Sequence, residues 1–508
     1  MMKNLIILVF AIVLFSKMAT ADTIKVDGIT ALTGQEVSAV LDAYQGGEIE
    51  AEQIAAIINQ LNSLYREKGF LNSGVMFPAQ TKSELVRLQA VEGELDKINV
   101  TTEGRLSLSH VERLIRAEVG LPLNINDLQG AFNRLERDDA IEAVKGRLIP
   151  GSDGTKSVLN LEVVEADAFS IAVKANNYRS PSVGAEQFQI ALAHINLTGH
   201  SDELSFGLNH TEGLDSGSIY YSFPVHALRS RIAVFYSKGD TIVVEAPFDA
   251  IELESETDTT GFSIKTAFID SLTRALSLQL GLEQKQSTTS LFGMPFDFTQ
   301  GSLDGASNAA IVSASLAFEH RSRQQAFSGR VSWRHGLDAL DATILPNGLP
   351  DGEFDLMQLQ LSYVRLFARA AHDWTLSLSF NSQFTSDTLQ AFERLPLGGH
   401  QSIRGFRENQ VLRDEAWEFR AQLDIPIYQE GESRFVIFPF YDAGEGKNAI
   451  EQSNVRQSVS LSSVGIGMHY QFEGFSFLLE WASRLEEEQK QDDTLQDDGL
   501  HVGVSYVF

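Results

Sequence analysis

The chain has 508 residues, 68 acidic against 40 basic for a net charge of −28, and no cysteine. The absence of cysteine excludes disulfide staples, thiolate catalysis and cysteine-ligated metals. The acid excess argues against a nucleic-acid partner, whose phosphates require a cationic footprint. Met1–Ala21 has the pattern of an export signal: Lys3 supplies a positive start, Leu5–Phe15 is an apolar run, and Ala19-Thr20-Ala21 is a small-x-small cleavage site before Asp22. That run is far short of the ~20 residues a membrane-spanning helix needs, and no later stretch approaches that length.

Two similar units follow, over residues 22–94 and 95–166. In the first, Thr23–Val26 reads as a strand and Thr33–Tyr44 and Glu50–Lys68 as helices. The second helix carries Ile54, Ile57, Ile58, Leu61 and Leu64 on one stripe and ends at Gly69, where a left-handed residue costs little. Val75–Phe77 and Leu85–Val91 read as strands. The order then repeats: strand Ile98–Val100, helices Ser109–Glu118 and Ile125–Arg137, strands Ala143–Ile149 and Ser157–Val164. Each unit is a β-α-α-β-β module whose sheet edges can accept an extended polypeptide by strand addition, the alternative being a ligand-neutral or adaptor pair.

From residue 167 onward the period changes to two. Ile219, Tyr221, Phe223 and Val225 alternate with polar neighbours, as do Leu276, Leu278, Leu280 and Leu282, and Trp374, Leu376, Leu378 and Phe380. One face suits lipid and the other a wet lumen. Sixteen such strands are expected, centred near residues 173, 192, 206, 221, 234, 265, 278, 315, 331, 360, 376, 421, 438, 465, 479 and 504. The last places Val502, Val504, Tyr506 and the terminal Phe508 on one face. An even number of antiparallel strands can close into a transmembrane β-barrel and leave no unpaired backbone in hydrocarbon.

The segment 382–415, between the eleventh and twelfth strands, contains Leu397-Gly-Gly-His-Gln-Ser-Ile-Arg-Gly-Phe406. An Arg-Gly-Phe cluster flanked by glycines suits a loop folded back into the lumen, with Arg404 on a wall carboxylate and Phe406 among aromatic side chains. Asp442 is the candidate partner of Arg404, because it shares the parity of Phe438 and Phe440 in Phe438-Pro-Phe-Tyr-Asp-Ala-Gly444.

These features resemble the TpsB transporters of two-partner secretion, the hemolysin secretion/activation family of the POTRA-barrel superfamily. Tyr65-Arg-Glu-Lys-Gly-Phe70, Val75-Met-Phe-Pro-Ala-Gln80 and Val91-Glu-Gly93 match the family's first periplasmic POTRA domain. Gly120-Leu-Pro-Leu-Asn124, Ala131-Phe-Asn-Arg-Leu-Glu136 and Leu148-Ile-Pro-Gly151 match the second. Ile403-Arg-Gly-Phe406 matches the loop-six signature, and Tyr441-Asp-Ala-Gly444 the motif whose aspartate meets its arginine. Glu418-Phe-Arg420 falls in the strand after the loop. The resemblance implies an outer-membrane protein, active as a monomer and without a cofactor, whose functional contact uses Ile403, Arg404, Gly405, Phe406, Glu418, Phe438, Phe440 and Asp442.

Its implied partner is a TpsA-type exoprotein, captured unfolded through an amino-terminal secretion domain and threaded to the surface. Periplasmic chaperones and the barrel assembly machinery would meet the protein in transit, and lipopolysaccharide would surround it. A barrel-assembly insertase, or a porin with periplasmic binding domains, is the alternative. Family members commonly carry a plug helix, but only Asp22 separates the cleavage site from the first strand. Pore closure is therefore expected to fall to loop six and the acidic loops. An enzyme reading would use His194, His200, His210, Asp202 and Glu203, which lack a closed ligand set. The acidic residues Glu486–Glu488, Asp492, Asp493, Asp497 and Asp498 read as a solvated extracellular loop.

Overall fold

A computed structural model describes residues 24–44, 50–78, 86–225, 230–246, 249–345, 349–369, 372–450, 458–486 and 494–508. The expected export signal, and with it the residues on which the plug-helix expectation rests, lie outside these. Ala79 and Gln80 of the first module and residues 487–493 of the acidic loop also lie outside. The chain forms two compact units, Met1–Ala166 and Asp167–Phe508.

The first unit repeats one module twice. Strand β1 (Ile24–Asp27) runs parallel to β3 (Val86–Val91), and β2 (Gly74–Met76) runs antiparallel to it, giving the order β1-β3-β2. Helices α1 (Gly34–Leu41) and α2 (Ala51–Glu67) belong to the same module. Thr33 and Glu36 close a capping box at the start of α1, satisfying two backbone donors that the first turn leaves free. The buried row of α2 is Ile54, Ile57, Leu61 and Tyr65, with Ile58 and Leu64 at its margin. Tyr65 joins the row because 57, 61 and 65 succeed one another at four-residue spacing. Its ring is buried while its hydroxyl reaches a carboxylate, which hydropathy alone does not reveal.

That carboxylate is Glu92, which ties the module together. It accepts from Tyr65 Oη at 2.7 Å, from the amides of Thr30 and Ala31 at 2.8 and 2.9 Å, and from the Thr30 hydroxyl. Partial burial opposes its charge, but these donors outweigh burial and hold its pKa below the ordinary carboxylate value. A depressed pKa contributes stability that is present above the unfolded-state value and is lost as pH falls through the folded-state value. Glu92→Gln is therefore expected to lower the module's stability at neutral pH by about 1–3 kcal/mol. It should also flatten the loss of protease resistance that the wild-type protein shows on acidification towards pH 3. Identical proteolysis profiles across that range would reject the role given to this carboxylate.

The second module has β4 (Glu94–Thr102), helices α3 (Leu108–Glu118) and α4 (Ile125–Leu135), β5 (Ile141–Pro150) and β6 (Lys156–Glu165), in the sheet order β4-β6-β5. Val111, Ile115, Leu128, Leu135, Leu159 and Leu161 form its core. Each such aliphatic side chain contributes roughly 1.5–3 kcal/mol on burial. The two modules are joined backbone to backbone, by Leu123 N–H donating to Gly93 at 2.7 Å and Ile125 N–H to Gly69 at 2.9 Å. Gly69 does more than end α2. At φ 92°, a Cβ there would lie 2.5 Å from Asn124 Oδ1 of the next module.

The second unit is a closed barrel of sixteen antiparallel strands. They are β7 (Phe169–Asn176), β8 (Gln187–Ile195), β9 (Glu203–His210), β10 (Leu214–Val225), β11 (Ser230–Ile242), β12 (Leu253–Asp270) and β13 (Arg274–Leu291). After the two-residue β14 (Met294–Pro295) come β15 (Ala306–Arg321), β16 (Gln325–Leu337), β17 (Asp355–Phe367) and β18 (Trp374–Thr385). The minor hairpin β19 (Leu395–Leu397) and β20 (Val411–Arg413) precedes β21 (Glu415–Glu430), β22 (Ser433–Lys447), β23 (Ser458–Phe472), β24 (Phe475–Arg484) and β25 (Leu500–Val507). Every expected strand centre falls inside one of the sixteen. Pairing of β25 with β7, from Gly503 opposite Asn176 to Val507 opposite Ala172, closes the circle.

The registers sort the two faces. Leu278, Leu280 and Leu282 pair with Thr266, Ile264 and Phe262, and Leu278 faces Leu316 on the next strand. Leu280, Leu282, Leu316 and Phe262 are exposed, as a lipid-facing belt requires. Residues 271–273, 322–324, 431–432 and 473–474 connect strands at one end. The far longer 292–305 and 386–414 lie at the other, the asymmetry of a barrel with short periplasmic turns. On the inner face, Phe438 and Phe440 pair with Gly467 and Gly465 and lean across them. A Cβ on Gly467 or Gly465 would lie 2.3 or 2.2 Å from the ring beside it.

Candidate functional site

Loop six, the segment between β18 and β21, packs against the inner wall. Arg404 is 1% exposed and all of its guanidinium nitrogens are engaged. Nε donates to Asp442 Oδ2 at 2.7 Å and Nη2 to Oδ1 at 2.8 Å, a bidentate pair. The Arg404 amide adds a third bond to Asp442 Oδ2 at 3.1 Å. Nη1 is shared between Gln422 Oε1 at 2.8 Å and Glu480 Oε1 at 2.9 Å. The guanidinium lies 3.5 Å above the Phe440 ring, a cation–π seat. The glycine that lets Phe440 lie flat thus also sets the platform for Arg404.

Gly405 has φ 91°, and a Cβ there would come within 2.8 Å of Ala482 Cβ, so only glycine brings the loop this close to β24. Ile403 and Phe406 are fully buried with Leu397, Ala416, Val459 and Leu461. This corrects the expectation of an aromatic bed for Phe406. Its neighbours are aliphatic, with the Arg484 guanidinium 5.2 Å from its ring, because Phe438 and Phe440 are committed to the glycines of β23. Glu418 accepts from Asn381 Nδ2 at 2.6 Å and from the Ser402 hydroxyl, fixing the turn before Ile403.

Several members of the site have no sequence motif. Glu480 also accepts from His400 Nδ1 at 2.6 Å, and His400 stacks on Tyr178 with centroids 3.8 Å apart. Glu480 is the lone charge in Phe475-Ser-Phe-Leu-Leu-Glu-Trp481, a signal that was available. Arg407 forms a bidentate pair with Asp497, both oxygens at 2.7 Å. The expectation that the acidic loop is solvated therefore fails at Asp497, which is 2% exposed. The neighbouring Gln496 accepts from the Glu408 amide at 2.8 Å and donates to the carbonyls of Asn177 and Arg179 at 2.6 and 2.7 Å. At the other end of loop six, Glu393 reaches Lys285 of β13 and Arg334 of β16.

Two of the residues considered for catalysis are engaged in other contacts. His210 pairs with Asp215 at 2.7 Å, and Asp202 accepts from the Thr198 amide and Tyr221 Oη. No group of three or more metal-ligating side chains occurs among the described residues.

Two modules before a closed sixteen-strand barrel with a loop pinned to its inner wall define an outer-membrane protein of the POTRA-barrel class, with the modules in the periplasm. Residues 155–470 match the family described as haemolysin secretion/activation protein ShlB/FhaC/HecB, and residues 20–93 match the ShlB-type POTRA domain. The chain belongs to that family and is an outer-membrane transporter of two-partner secretion. It is 21% identical to the heme/hemopexin transporter protein HuxB of Haemophilus influenzae, over 85% of this chain and 77% of that one. It is 23% identical to the outer membrane transporter CdiB of Dickeya dadantii, over 81% and 73%. Among solved structures, CdiB from Escherichia coli superimposes with a TM-score of 0.74 at 18% identity, covering 96% of this chain and 90% of that one. CdiB from Acinetobacter baumannii gives 0.69 at 16% identity over the same shares.

Proposed function

We propose that the protein captures a TpsA-type exoprotein in the periplasm, unfolded and through its amino-terminal secretion domain, and threads it through the barrel to the cell surface. The observation that carries this reading is that one chain has both open sheet edges in its modules and a barrel whose lumen holds a loop fixed to the wall by side-chain contacts. Among the described residues, β5 and β4 each pair on one side only, with β6. An extended chain can add there by main-chain hydrogen bonds with little demand on its sequence. The contacts of Arg404 with Asp442 and Phe440, the seat of Ile403, Gly405 and Phe406 against the wall, and the bond of Ser402 to Glu418 hold the loop that must yield to the passing chain. An insertase needs no through-path, and a porin needs no capture modules, so the combination favours transport.

The test uses the full-length protein together with a TpsA-type exoprotein that carries its amino-terminal secretion domain. A photo-crosslinking residue at Arg147, exposed on β5, is expected to capture the unfolded secretion domain, and one at Arg113, exposed on α3, is not. Equal capture at the two positions would reject strand addition at β5. Absence of any surface delivery of that protein would reject the transport reading.

A further inference from the structure

Loop six has a second anchor, on a different part of the wall. Arg404 holds β22 and β24, the thirteenth and fifteenth barrel strands, whereas Glu393 meets β13 and β16, the seventh and ninth. Residues 393–404 therefore bridge walls six strands apart, as a strap inside the barrel. Glu393 is 6% exposed and lies 2.8 Å from Lys285 Nζ and 3.2 Å from Arg334 Nη2. Lys285 also sits 5.6 Å from the Phe392 ring.

The two anchors are not equivalent. Asp442 and Glu480 are buried with Arg404 between them, so withdrawing Arg404 would leave two carboxylates out of water with little to offset their charge. Arg420, 3.7 Å from Asp442, is the remaining guanidinium within reach of it. Withdrawing Glu393 leaves Lys285 and Arg334 still beside a carboxylate, Glu283, at 3.3 and 3.7 Å. Their side chains also retain 19% and 18% exposure, so water can reach them. The electrostatic cost of release is thus smaller at Glu393.

Beneath that anchor the inner face of β13–β17 carries a row of uncharged polar side chains, on the same face as Glu283, Lys285, Arg330 and Arg334. One register row reads Gln279, Ser315, Ser332 and Gln358. Hydroxyls and amides bind any peptide backbone weakly and none tightly, which suits a surface along which a polypeptide slides.

We propose that Glu393 is a positioning residue that acts as the releasable latch of loop six: the segment around it lifts from Lys285 and Arg334 and clears the row of uncharged polar side chains on the β13–β17 wall, while the Arg404 end stays bound. This rests on the transport reading, but its test needs no cargo. In planar-bilayer recordings of the purified full-length protein, Glu393→Gln is expected to raise the open probability on the order of tenfold. The double variant Lys285→Gln/Arg334→Gln, which leaves the loop untouched, should do the same. A cysteine at Ser313, opposite Arg334 in the β15–β16 register, should react faster with a charged methanethiosulfonate added from outside in both backgrounds. If Glu393→Gln lowers the yield of heat-modifiable barrel, the double variant carries the test. Wild-type open probability and wild-type modification rate in the double variant would overturn the proposal. Failed secretion with the expected gating changes would instead count against the transport reading.

Discussion

Replacing Arg404 with Ala is expected to reduce cargo secretion by roughly tenfold or more while leaving most of the barrel inserted. Removing one partner of a buried ion pair costs about 3–5 kcal/mol, because the charges left behind stay out of water. Here two are left, Asp442 and Glu480, together with an empty seat above Phe440. That energy is lost from attachment of the loop and not from the strand ladder, so heat-modifiability should persist. Asp442→Ala strands a guanidinium that keeps Glu480 and Gln422, and should be somewhat milder. The double alanine variant should be less impaired than the sum of the singles. The measurement is a double-mutant cycle on secretion per unit of heat-modifiable barrel. Additive losses would reject coupling, and normal secretion by Arg404→Ala would reject a role for the contact. Exchanging the two charges should restore only part of the loss, since the planar fork would then project from the wall instead of the loop.

The second large effect is expected at Gly465. A Cβ there would stand 2.2 Å from Phe440 Cζ and 2.4 Å from the Trp481 carbonyl oxygen. The ring could swing aside, but the carbonyl belongs to the β23–β24 ladder and cannot move without breaking it. Gly465→Ala should cost about 1–3 kcal/mol by overpacking. It should also tilt Phe440 out from under Arg404, so that barrel assembly and loop attachment suffer together. Gly465→Val should be worse, and adding Phe440→Leu to Gly465→Ala should recover part of the loss. Urea titration of heat-modifiability in outer-membrane fractions reads the first effect, and secretion per folded barrel the second. A Gly465→Ala protein as resistant to urea as the wild type would show that the ring and strand accommodate the methyl freely.

Much of this architecture is written in local pattern. The alternation of Leu276, Leu278, Leu280 and Leu282 with Ser277, Gln279 and Gly281 depends only on the two-residue repeat of a strand, so sequence alone yields both the strand and its lipid face. The order of helices and strands in the two modules is legible too, because helical stripes such as Ile54, Ile57, Leu61 repeat every three to four residues and strands every two. The proximity of Arg404 and Asp442 was readable because a family motif marked both and parity turned Asp442 inward. Parity, however, says that a residue faces the lumen and not what it meets there. Glu480 and Glu393 find Arg404 and Lys285 across 76 and 108 residues of chain. Those meetings exist only once sixteen strands have closed and the loop has crossed between walls six strands apart. Phe406 went to an aliphatic bed because Phe438 and Phe440 were already held over Gly467 and Gly465, a pairing set by register. The sequence by itself therefore determined the periodic elements and the inward set of residues. Tertiary structure decided which of them share a buried charge, because closure of the barrel sets cross-lumen distances and no local repeat encodes them.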